Sequence, residues 1–413
     1  MTGARTLLIG AEVITPTAVL PGGWVRVDGD RITAVGAAGS IGSVGSMGSI
    51  GSGDPITGLP PGDIADGATV VDLKGKRLLP GFIDLHVHGA AGGTFDAGRA
   101  DIATGLAAHR RHGTTRSLVS LVTASQDAMA GAVSAAAQFA ADDPHVLGLH
   151  LEGPFLSELR RGVHDPAALR APDRTALDRL LGAGGGLVRV LTLAPELPGG
   201  IDAVEFCVRS GVHAAVGHSD AGYAVAAAAF EAGADLVTHA FNGMRPLHHR
   251  DPAIIGAAMD AGVIVEAIND GVHLHASTVR LLQAIAPGKV ALVTDAMAAA
   301  CHGDGGYTLA GFPVTVKGGV ARLVSADPEV PGPIAGSTLT MDVAVGRAVQ
   351  DVGMPLLDAV NAASLVPARF LGISGDYGSI ADGRFADLVV TDHDWTVQAV
   401  MAAGEWADER RPW

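Results

Sequence analysis

The chain has 413 residues, of which 48% are hydrophobic and 17% are charged, and its formal net charge is −15. The length suits one barrel-sized domain plus a smaller one, and the composition suits a large buried core. The negative charge argues against binding to nucleic acid or to an anionic membrane surface, although a local arginine or histidine can still hold an anionic substrate. The two cysteines, Cys207 and Cys301, provide neither a disulfide framework nor a cysteine-based zinc site, and they fit a reducing compartment.

The N-terminal part of the chain carries the alternation of short strands. Residues 5–36 alternate between apolar and polar side chains and contain turn signals rich in glycine, proline and aspartate. Residues 38–56 form a glycine- and serine-rich insertion with little to bury, which predicts a flexible surface segment. The first apolar run is too short for a signal peptide, and later runs such as residues 224–230 are shorter than the ~20 residues of a membrane span. We therefore expect a cytoplasmic protein without membrane association.

Short apolar runs alternate with helix-compatible stretches between residue 80 and about residue 300. The runs are rich in leucine or β-branched residues, which is typical of parallel strands covered on both faces. They comprise residues 82–88, 115–122, 146–152, 187–193, 213–218, 236–239, 263–268 and 291–295. Eight strand–helix units favour a closed (β/α)₈ TIM-like barrel of the α/β class. A doubly wound sheet is the alternative, because periodicity alone does not close a barrel.

The C-terminal third of the chain returns to β character. A long loop is expected from residue 297 to about residue 336, with a small hairpin at 312–323, and strand-like alternation reappears towards the C-terminus. Because both ends of the chain are β-rich, we predict a small β-sandwich-like domain built from residues 1–79 and 375–413. Residues 80–374 form the predicted barrel.

Side chains that can ligate a metal follow five of the eight predicted strands. These residues are His86, His88, Glu152, His218, His239 and Asp295. Barrel enzymes carry their active sites at the C-terminal ends of the strands, and both imidazoles of a His-x-His pair point to the same side of a strand. Each residue alone has a structural explanation, such as an internal hydrogen bond or a cap on the next segment. Together, four histidines and two carboxylates at one rim favour a site for zinc, iron or manganese.

Longer motifs surround these residues. They are PGFIDLHVHG at 80–89, HLEGPF at 150–155, RGVH at 161–164, GHSD at 217–220, THAFNGM at 238–244, DGVH at 270–273, LVTDAM at 292–297 and IAGS at 334–337. With these motifs the chain resembles the amidohydrolase superfamily and, within it, the family of N-acetylglucosamine-6-phosphate deacetylases. The resemblance extends over about residues 5–405, apart from the glycine- and serine-rich insertion. It implies metal-dependent hydrolysis of the N-acetyl group of N-acetylglucosamine 6-phosphate to glucosamine 6-phosphate and acetate.

The resemblance also implies how the metal is held. Glu152 matches the central ligand of the family, and His218 and His239 match the two histidines that join it. Many superfamily members bridge two metals with a carboxylated lysine, but none of the four lysines of this chain ends a predicted strand. His86 and His88 predict capacity for a second metal together with Glu152 and Asp295; the alternative is that both imidazoles only shape an empty pocket. We expect one or two divalent ions, zinc first, with iron, manganese, cobalt or cadmium as alternatives.

Asp295 and His164 are the expected catalytic residues. Asp295 is assigned as general base toward the attacking water and then as general acid toward the departing amine. By resemblance, His164 polarises the acyl carbonyl or binds sugar hydroxyls, and Arg250 binds the phosphate in the neighbouring subunit of a homodimer. Arginine suits that task because its planar fork pairs two phosphate oxygens at once. The other expected substrate contacts are Val163, Asn242, Gly243, Asp270, His273, Ile334, Ala335 and Gly336.

Three other interpretations stay open at this point. Another amidohydrolase, acting on an N-acyl amino acid or a cyclic amide, would need an arginine or lysine for a carboxylate and often the modified lysine. A non-catalytic scaffold predicts lost metal ligands, whereas every expected position is occupied. A sugar-phosphate sensor would keep the pocket but would lack a general base at the position of Asp295.

Overall fold

The structure, a computed structural model, describes residues 5–38, 67–327 and 329–407. The described residues form two compact units: the first takes those that lie within Met1–Ile83, Arg110–Thr115 and Pro355–Trp413, and the second takes those within Asp84–His109 and Arg116–Met354. The glycine- and serine-rich insertion that we place at 38–56 lies outside the described residues, apart from Ala38. The limits that we assign to the two domains, at residues 79–80 and 374–375, stay a prediction.

Strands occur along most of the described chain. The N-terminal strands are β1 (Arg5–Ile14), β2 (Val19–Asp28), β3 (Arg31–Gly36), β4 (Thr69–Asp72) and β5 (Arg77–Pro80). The next group is β6 (Phe82–Asp84), β7 (Gly89–Ala90), β8 (Gly93–Thr94), β9 (Thr114–Val122), β10 (Val146–Glu152), β11 (Val188–Leu193), β12 (His213–Val216), β13 (Leu236–Val237), β14 (Ile264–Ile268) and β15 (Val290–Val293). The remaining strands are β16 (Gly305–Leu309), β17 (Phe312–Lys317), β18 (Val320–Leu323), β19 (Leu388–Thr391), β20 (Val397–Ala402) and β21 (Glu405–Trp406).

Helices connect the strands of the second unit and continue after them. The described α-helices are α1 (Arg99–Arg110), α2 (Gln126–Asp142), α3 (Arg174–Ala183), α4 (Gly200–Arg209), α5 (Tyr223–Glu231), α6 (Ala253–Ala261), α7 (Ala276–Ile285), α8 (Met341–Arg347), α9 (Leu356–Ala362) and α10 (Leu365–Phe370). Asp173 caps α3, because its side chain accepts a hydrogen bond from the backbone N–H of Ala176 at 2.9 Å. Within the described ranges, no helix has both the length and the apolar character needed to cross a membrane.

The first unit is built on a sheet that takes strands from both ends of the described chain. Its order is β21-β20-β19-β5-β1-β2-β3, and β4 also pairs with β1. In β2, Val25 and Val27 are buried while Arg26 between them is half-buried, so one face of the strand packs on a core that also contains Leu78 and Leu388. The prediction that the two terminal segments form one separate β structure is confirmed.

The second sheet is the barrel. Among the described residues, eight parallel strands follow one another in the order β6-β9-β10-β11-β12-β13-β14-β15, and each overlaps one of the eight predicted runs. The ends of the sheet meet where the hydroxyl of Thr294 donates to Oδ2 of Asp84 at 2.6 Å. The backbone N–H of Asp295 also donates to the carbonyl oxygen of His86 at 2.8 Å. The TIM-like barrel is therefore confirmed, and the doubly wound alternative is excluded.

The loop after the last barrel strand carries a small antiparallel sheet. The predicted hairpin corresponds to β17 and β18, and β16 adds a third strand that the sequence did not predict. Gly305 and Gly306 open β16, and glycine is a weak strand former, which hid this strand from the pattern. The apolar face of the small sheet includes Val314 and packs against Val122 at the end of β9.

Candidate metal centre and active site

Six ionisable side chains converge at the C-terminal ends of the barrel strands, and all are buried. They are His86 and His88 after β6, Glu152 at the end of β10, His218 after β12, His239 after β13 and Asp295 after β15. Each has a nitrogen or oxygen atom within 4 Å of another member of the set. The structure thus brings together all six residues that the sequence analysis assigned to a metal site.

Glu152, His218 and His239 form the first group. Oε1 of Glu152 lies 3.0 Å from Nε2 of His218 and 3.0 Å from Nε2 of His239, and the two nitrogens are 3.1 Å apart. The other ring nitrogen of His218, Nδ1, donates to the carbonyl oxygen of Arg160 at 2.8 Å. In the neutral ring, Nε2 of His218 therefore carries a lone pair and faces a carboxylate oxygen.

His86, His88 and Asp295 form the second group. Nε2 of His86 and Nε2 of His88 are 3.0 Å apart, and Oδ1 of Asp295 lies 3.8 Å and 3.4 Å from them. Glu152 stands between the two groups, because its Oε2 lies 3.3 Å from Nε2 of His88. The same carboxylate can thus contact a cation in either group.

The donor set fits a divalent metal. An unprotonated imidazole nitrogen and a carboxylate oxygen, such as those of His218 and Glu152, are both acceptors, so their close approach needs positive charge between them. Neutral imidazole and carboxylate are the ligands that zinc takes in catalytic sites, and iron and manganese accept them as well. The geometry thus fits a divalent cation, without specifying which metal.

The electrostatics of this cluster attract positive charge. Burial alone would lower the pKa of His88, but Asp295 and Glu152 outweigh it and raise the pKa to about 9. Burial likewise opposes ionisation of Asp295, but its hydrogen bond to His88 and the charge of His86 hold the pKa of this carboxyl well below its ordinary value. Asp295 is therefore an ionised carboxylate that can accept a proton.

His164 differs from the other imidazoles at this rim. Burial lowers its pKa to about 4, so the ring is neutral at physiological pH. Within the described residues, neither ring nitrogen has a hydrogen-bond partner, although Nε2 lies 3.4 Å from Oε2 of Glu152. A neutral imidazole with unused hydrogen-bonding capacity can donate to an oxygen of a bound molecule.

Three of the six residues have an unusual backbone. His218, His239 and Asp295 each stand two residues beyond the end of their strand, with φ of 47°, 28° and 47°. Left-handed backbone is uncommon for residues other than glycine, and such strain is concentrated at active sites. The same local bend thus turns three ligand candidates out of their strands toward the rim.

Two glycines leave room for the ring of His218. A Cβ on Gly162, where φ is +57°, would lie 3.1 Å from Cε1 of His218, and a Cβ on Gly243, where φ is +56°, would lie 3.1 Å from the same atom. Any side chain at either position would both strain the backbone and press on this imidazole. Glycine at these positions in the loops after β10 and β13 therefore leaves space for the imidazole ring of His218.

A cavity of about 240 Å³ opens beside the six residues. Of the expected substrate contacts, those that line it are Val163, His164, Asn242, Gly243, His273, Ile334 and Gly336. Asp270 is placed behind the lining, where its Oδ2 accepts from Nδ1 of His273 at 2.7 Å, and Ala335 is buried in the apolar cluster under the small sheet. Arg250 is exposed, contacts the ring of His249 at 2.8 Å, and is not part of the lining.

Sequence reasoning missed Glu266, which lies in the middle of β14 and is fully buried. Its Oε2 accepts from Nδ1 of His86 and from the backbone N–H of His239, both at 3.1 Å. The available signal was a carboxylate inside an otherwise apolar run of residues 264–268. His150 is a different case, because both ring nitrogens are used by Leu85 and Thr192, and burial lowers its pKa to about 4.

Together, the barrel and the cluster of histidines and carboxylates define a class of hydrolase. The model of the amidohydrolase family matches residues 77–407, and the chain belongs to this family. It is 37% identical to N-acetylgalactosamine-6-phosphate deacetylase of Escherichia coli O157:H7, over 82% of this chain and 90% of that protein. It is 36% identical to N-acetylglucosamine-6-phosphate deacetylase of Homo sapiens, over 81% and 84%.

Solved structures agree with this assignment. A mutant of the N-acetyl-D-glucosamine-6-phosphate deacetylase of Mycobacterium smegmatis, in complex with N-acetyl-D-glucosamine-6-phosphate, superposes with a TM-score of 0.87 at 39% identity, covering 98% of this chain and 100% of that one. The N-acetylglucosamine-6-phosphate deacetylase of Thermotoga maritima superposes with a TM-score of 0.80 at 28% identity, covering 98% and 99%. The resemblance inferred from the motifs, and the hydrolase class it implied, are confirmed.

Proposed function

We propose that the chain hydrolyses the acetamide of N-acetylglucosamine 6-phosphate, releasing acetate and glucosamine 6-phosphate. The observation that carries this proposal is the convergence of a general-base candidate, Asp295, with imidazole and carboxylate ligands beside one cavity. Relatives with this activity in their names, at 36% identity over most of both chains, support the choice of substrate. An amino-sugar phosphate also agrees with a chain whose overall charge disfavours nucleic acid.

One or two divalent cations are part of the proposal. Glu152, His218 and His239 would hold the first, and His86, His88 and Asp295 would hold the second, with Glu152 between them. A bound divalent metal would lower the pKa of a water molecule and polarise a carbonyl group. Zinc is the first candidate because its catalytic sites use such ligands; iron, manganese, cobalt and cadmium are the alternatives.

The residues of the chain then carry the protons. Asp295 accepts a proton from water as the water oxygen adds to the acetyl carbon, and it returns that proton to the nitrogen as the C–N bond breaks. The nitrogen leaves as a free amine, the acetyl group with the added water oxygen leaves as acetic acid, and the proton of that acid passes to the amine, which gives acetate and an ammonium group. His164 donates a hydrogen bond to the acetyl oxygen or to a sugar hydroxyl, which its neutral state allows.

Arg250 is the proposed phosphate ligand, acting in the site of a neighbouring subunit. Its exposed position outside the cavity lining of its own chain supports action in a second copy. The test is complementation between two variants, Arg250→Ala and Asp295→Asn, each of which should be inactive alone. In a mixed dimer, one site combines the intact Asp295 of the first variant with the Arg250 donated by the second. Partial recovery of turnover after mixing is expected, and no recovery in demonstrated mixed dimers would exclude donation. The homodimer and its cytoplasmic location stay predictions.

N-acetylgalactosamine 6-phosphate is the second candidate substrate. The relative from Escherichia coli O157:H7 with that sugar in its name supports it, at 37% identity. The two sugars carry the same acetamide and the same phosphate and differ in the configuration of one hydroxyl. The chemistry at Asp295 would be the same for both.

The test of function is direct product analysis. Purified protein with measured metal content is incubated with both N-acetylhexosamine 6-phosphates, with unphosphorylated N-acetylglucosamine and with an N-acetyl amino acid. We expect equal amounts of acetate and free amine from the phosphorylated sugars, with the highest kcat/KM for N-acetylglucosamine 6-phosphate. Turnover of the amino acid alone would show a different amidohydrolase, and no turnover with metal bound would favour a non-catalytic barrel.

A further inference from the structure

Glu266 places a negative charge directly behind one of the histidines of the second group. The residue lies inside β14, its exposure is 0%, and its Oε2 is 3.1 Å from Nδ1 of His86. A buried carboxylate costs much free energy unless it is compensated by charge and hydrogen bonds. A fold that keeps one here therefore needs it to be matched by positive charge nearby.

The contact decides which nitrogen of the His86 ring can face a metal. An ionised carboxylate only accepts hydrogen bonds, so Nδ1 of His86 is the donor, and the ring can offer a lone pair to a metal only at Nε2. That lone pair points to the second group, where Nε2 of His88 lies 3.0 Å away and Oδ1 of Asp295 lies 3.8 Å away. A carboxylate behind an imidazole also makes its free nitrogen a stronger metal ligand.

We propose that Glu266 is a positioning residue that retains a second divalent cation at His86 and His88, separate from the cation of Glu152, His218 and His239. The inference rests on the proposed function, because it assumes that the cluster binds metal. It goes further by naming the residue on which retention of the second cation depends. Glu266 acts through His86 and touches neither substrate nor metal.

The charges of the cluster agree with two cations. Glu152, Asp295 and Glu266 bring three buried carboxylates into one small volume. When His86 and His88 are neutral, as metal ligands are, one divalent cation would leave this set with excess negative charge, which is costly away from water. A second cation removes the excess and leaves room for an anionic oxygen of the reaction.

A rival arrangement uses Glu266 itself as a ligand. Atoms of His86, His150 and Glu266 all lie within 4.8 Å of one another, as a metal-binding triad requires. However, Nδ1 of His150 lies 3.0 Å from the carbonyl oxygen of Leu85, and its Nε2 lies 2.8 Å from the hydroxyl of Thr192. Because both ring nitrogens already form hydrogen bonds, His150 does not offer a third metal ligand. The role of Glu266 as a hydrogen-bond acceptor for His86 is therefore favoured.

The experiment counts metal ions without any substrate. The parent chain, Glu266→Gln and Glu266→Ala are stripped with a chelator, titrated with Zn²⁺ by calorimetry, and checked by elemental analysis. In the glutamine variant the amide oxygen can keep both hydrogen bonds of Oε2, so this variant tests the charge; the alanine variant tests the contact. We expect two equivalents in the parent, with the affinity for the second falling about 10-fold for Gln and up to about 100-fold for Ala.

Controls separate a local effect from general damage. Affinity for the first equivalent should stay unchanged, although Glu266 also accepts from the backbone N–H of His239. In a His86→Ala background, the Glu266 substitutions should cause no further loss, because the residue acts through that ring. Far-ultraviolet circular dichroism with and without Zn²⁺ checks that each variant is folded.

Several outcomes would overturn the inference. A parent chain that binds a single equivalent would do so, as would an unchanged second affinity in folded Glu266→Ala. His88→Ala distinguishes the two arrangements. If the second cation binds at His86 and His88, this variant should lose the second equivalent of Zn²⁺; if it binds at His86, His150 and Glu266, the variant should keep it. If the proposed function is wrong but this inference is right, the parent chain should still bind two equivalents of Zn²⁺ and should hydrolyse no amide.

Discussion

Nδ1 of His218 lies 2.8 Å from the backbone carbonyl oxygen of Arg160, and this contact decides which nitrogen of the ring faces Glu152. Because the carbonyl can only accept, Nδ1 holds the proton of the neutral ring, and in that form Nε2 is an acceptor 3.0 Å from the acceptor Oε1 of Glu152. The backbone carbonyl of Arg160 thus orients His218 so that its Nε2, together with Oε1 of Glu152, can bind a cation.

Metal removal should therefore cost both activity and stability. Exhaustive chelation is expected to abolish turnover and to lower the Tm, since a cation that binds only the folded state stabilises it by about 2.7 kcal/mol at 100 times its Kd. Adding Zn²⁺ back should restore both. Thermal unfolding followed by circular dichroism, with acetate release measured on the same samples, provides the check. Full turnover in metal-free protein would contradict the proposed site.

Asp295→Asn should remove most of the turnover while preserving the fold. The amide fills the same volume but cannot accept and return a proton, so kcat should fall by about 10²–10⁴-fold. Asp178→Asn is the matched control, because Asp178 is an exposed residue of α3 that pairs with Arg174. Its kcat should equal that of the parent. Retention of substantial activity by Asp295→Asn in protein of normal metal content would refute the assignment.

The left-handed backbone of Asp295 predicts an inverted order of stability for two substitutions. At a φ of 47°, alanine carries a strain of about 1–2 kcal/mol that glycine avoids, although glycine loses about 0.5–1 kcal/mol through the flexibility of the unfolded chain. Asp295→Gly should thus be at least as stable as Asp295→Ala. In the helical control, Asp178→Gly should be less stable than Asp178→Ala. Urea unfolding of the four variants in metal-free buffer measures the order.

The bond between Thr294 and Asp84 predicts a stability effect at the closure of the barrel. Thr294→Val leaves the buried carboxyl without its 2.6 Å donor and should cost about 1–3 kcal/mol, whereas Thr294→Ser keeps the hydroxyl and most of the stability. Burial raises the pKa of Asp84 to about 7, and the hydroxyl of Thr294 opposes that rise. A protonated Asp84 needs the donor less, so the loss in Thr294→Val should be larger above this pKa than below it. Equal stability of both variants at all pH values would contradict this role.

The two cysteines should react at very different rates. Cys301 is exposed, whereas Cys207 is buried and burial raises its pKa to about 12. A thiol reagent at neutral pH should label one cysteine quickly and the second only on unfolding, and Cys301→Ser should abolish the fast phase. Since the folded pKa of Cys207 is raised from 9.0, its contribution to stability is present below about pH 9 and is lost as the pH rises toward 12. Two fast thiols in the folded parent would contradict this burial.

Much of the fold could be predicted because burial on both faces leaves a clear trace in the chain. Every residue of β15 is both apolar and buried, and such a short uninterrupted apolar run is typical of a parallel strand that is covered on both faces. The six metal-site candidates were recognisable because they interrupt the pattern at strand ends. Glu266 was missed, because its only signal was a carboxylate inside the apolar run of β14 and it does not stand at a strand end. The position of Arg250 relative to a second subunit depends on a surface that one chain does not contain.

The carbonyl of Arg160 limits how the pocket can be redesigned. Val163 and His164 line the cavity only a few residues further along the same loop, so a graft that exchanges this loop to admit a bulkier acyl group would also shift the atom that orients His218. Libraries aimed at new substrates should therefore vary side chains around Ile334, on a separate segment, and leave the backbone path through Gly162 intact.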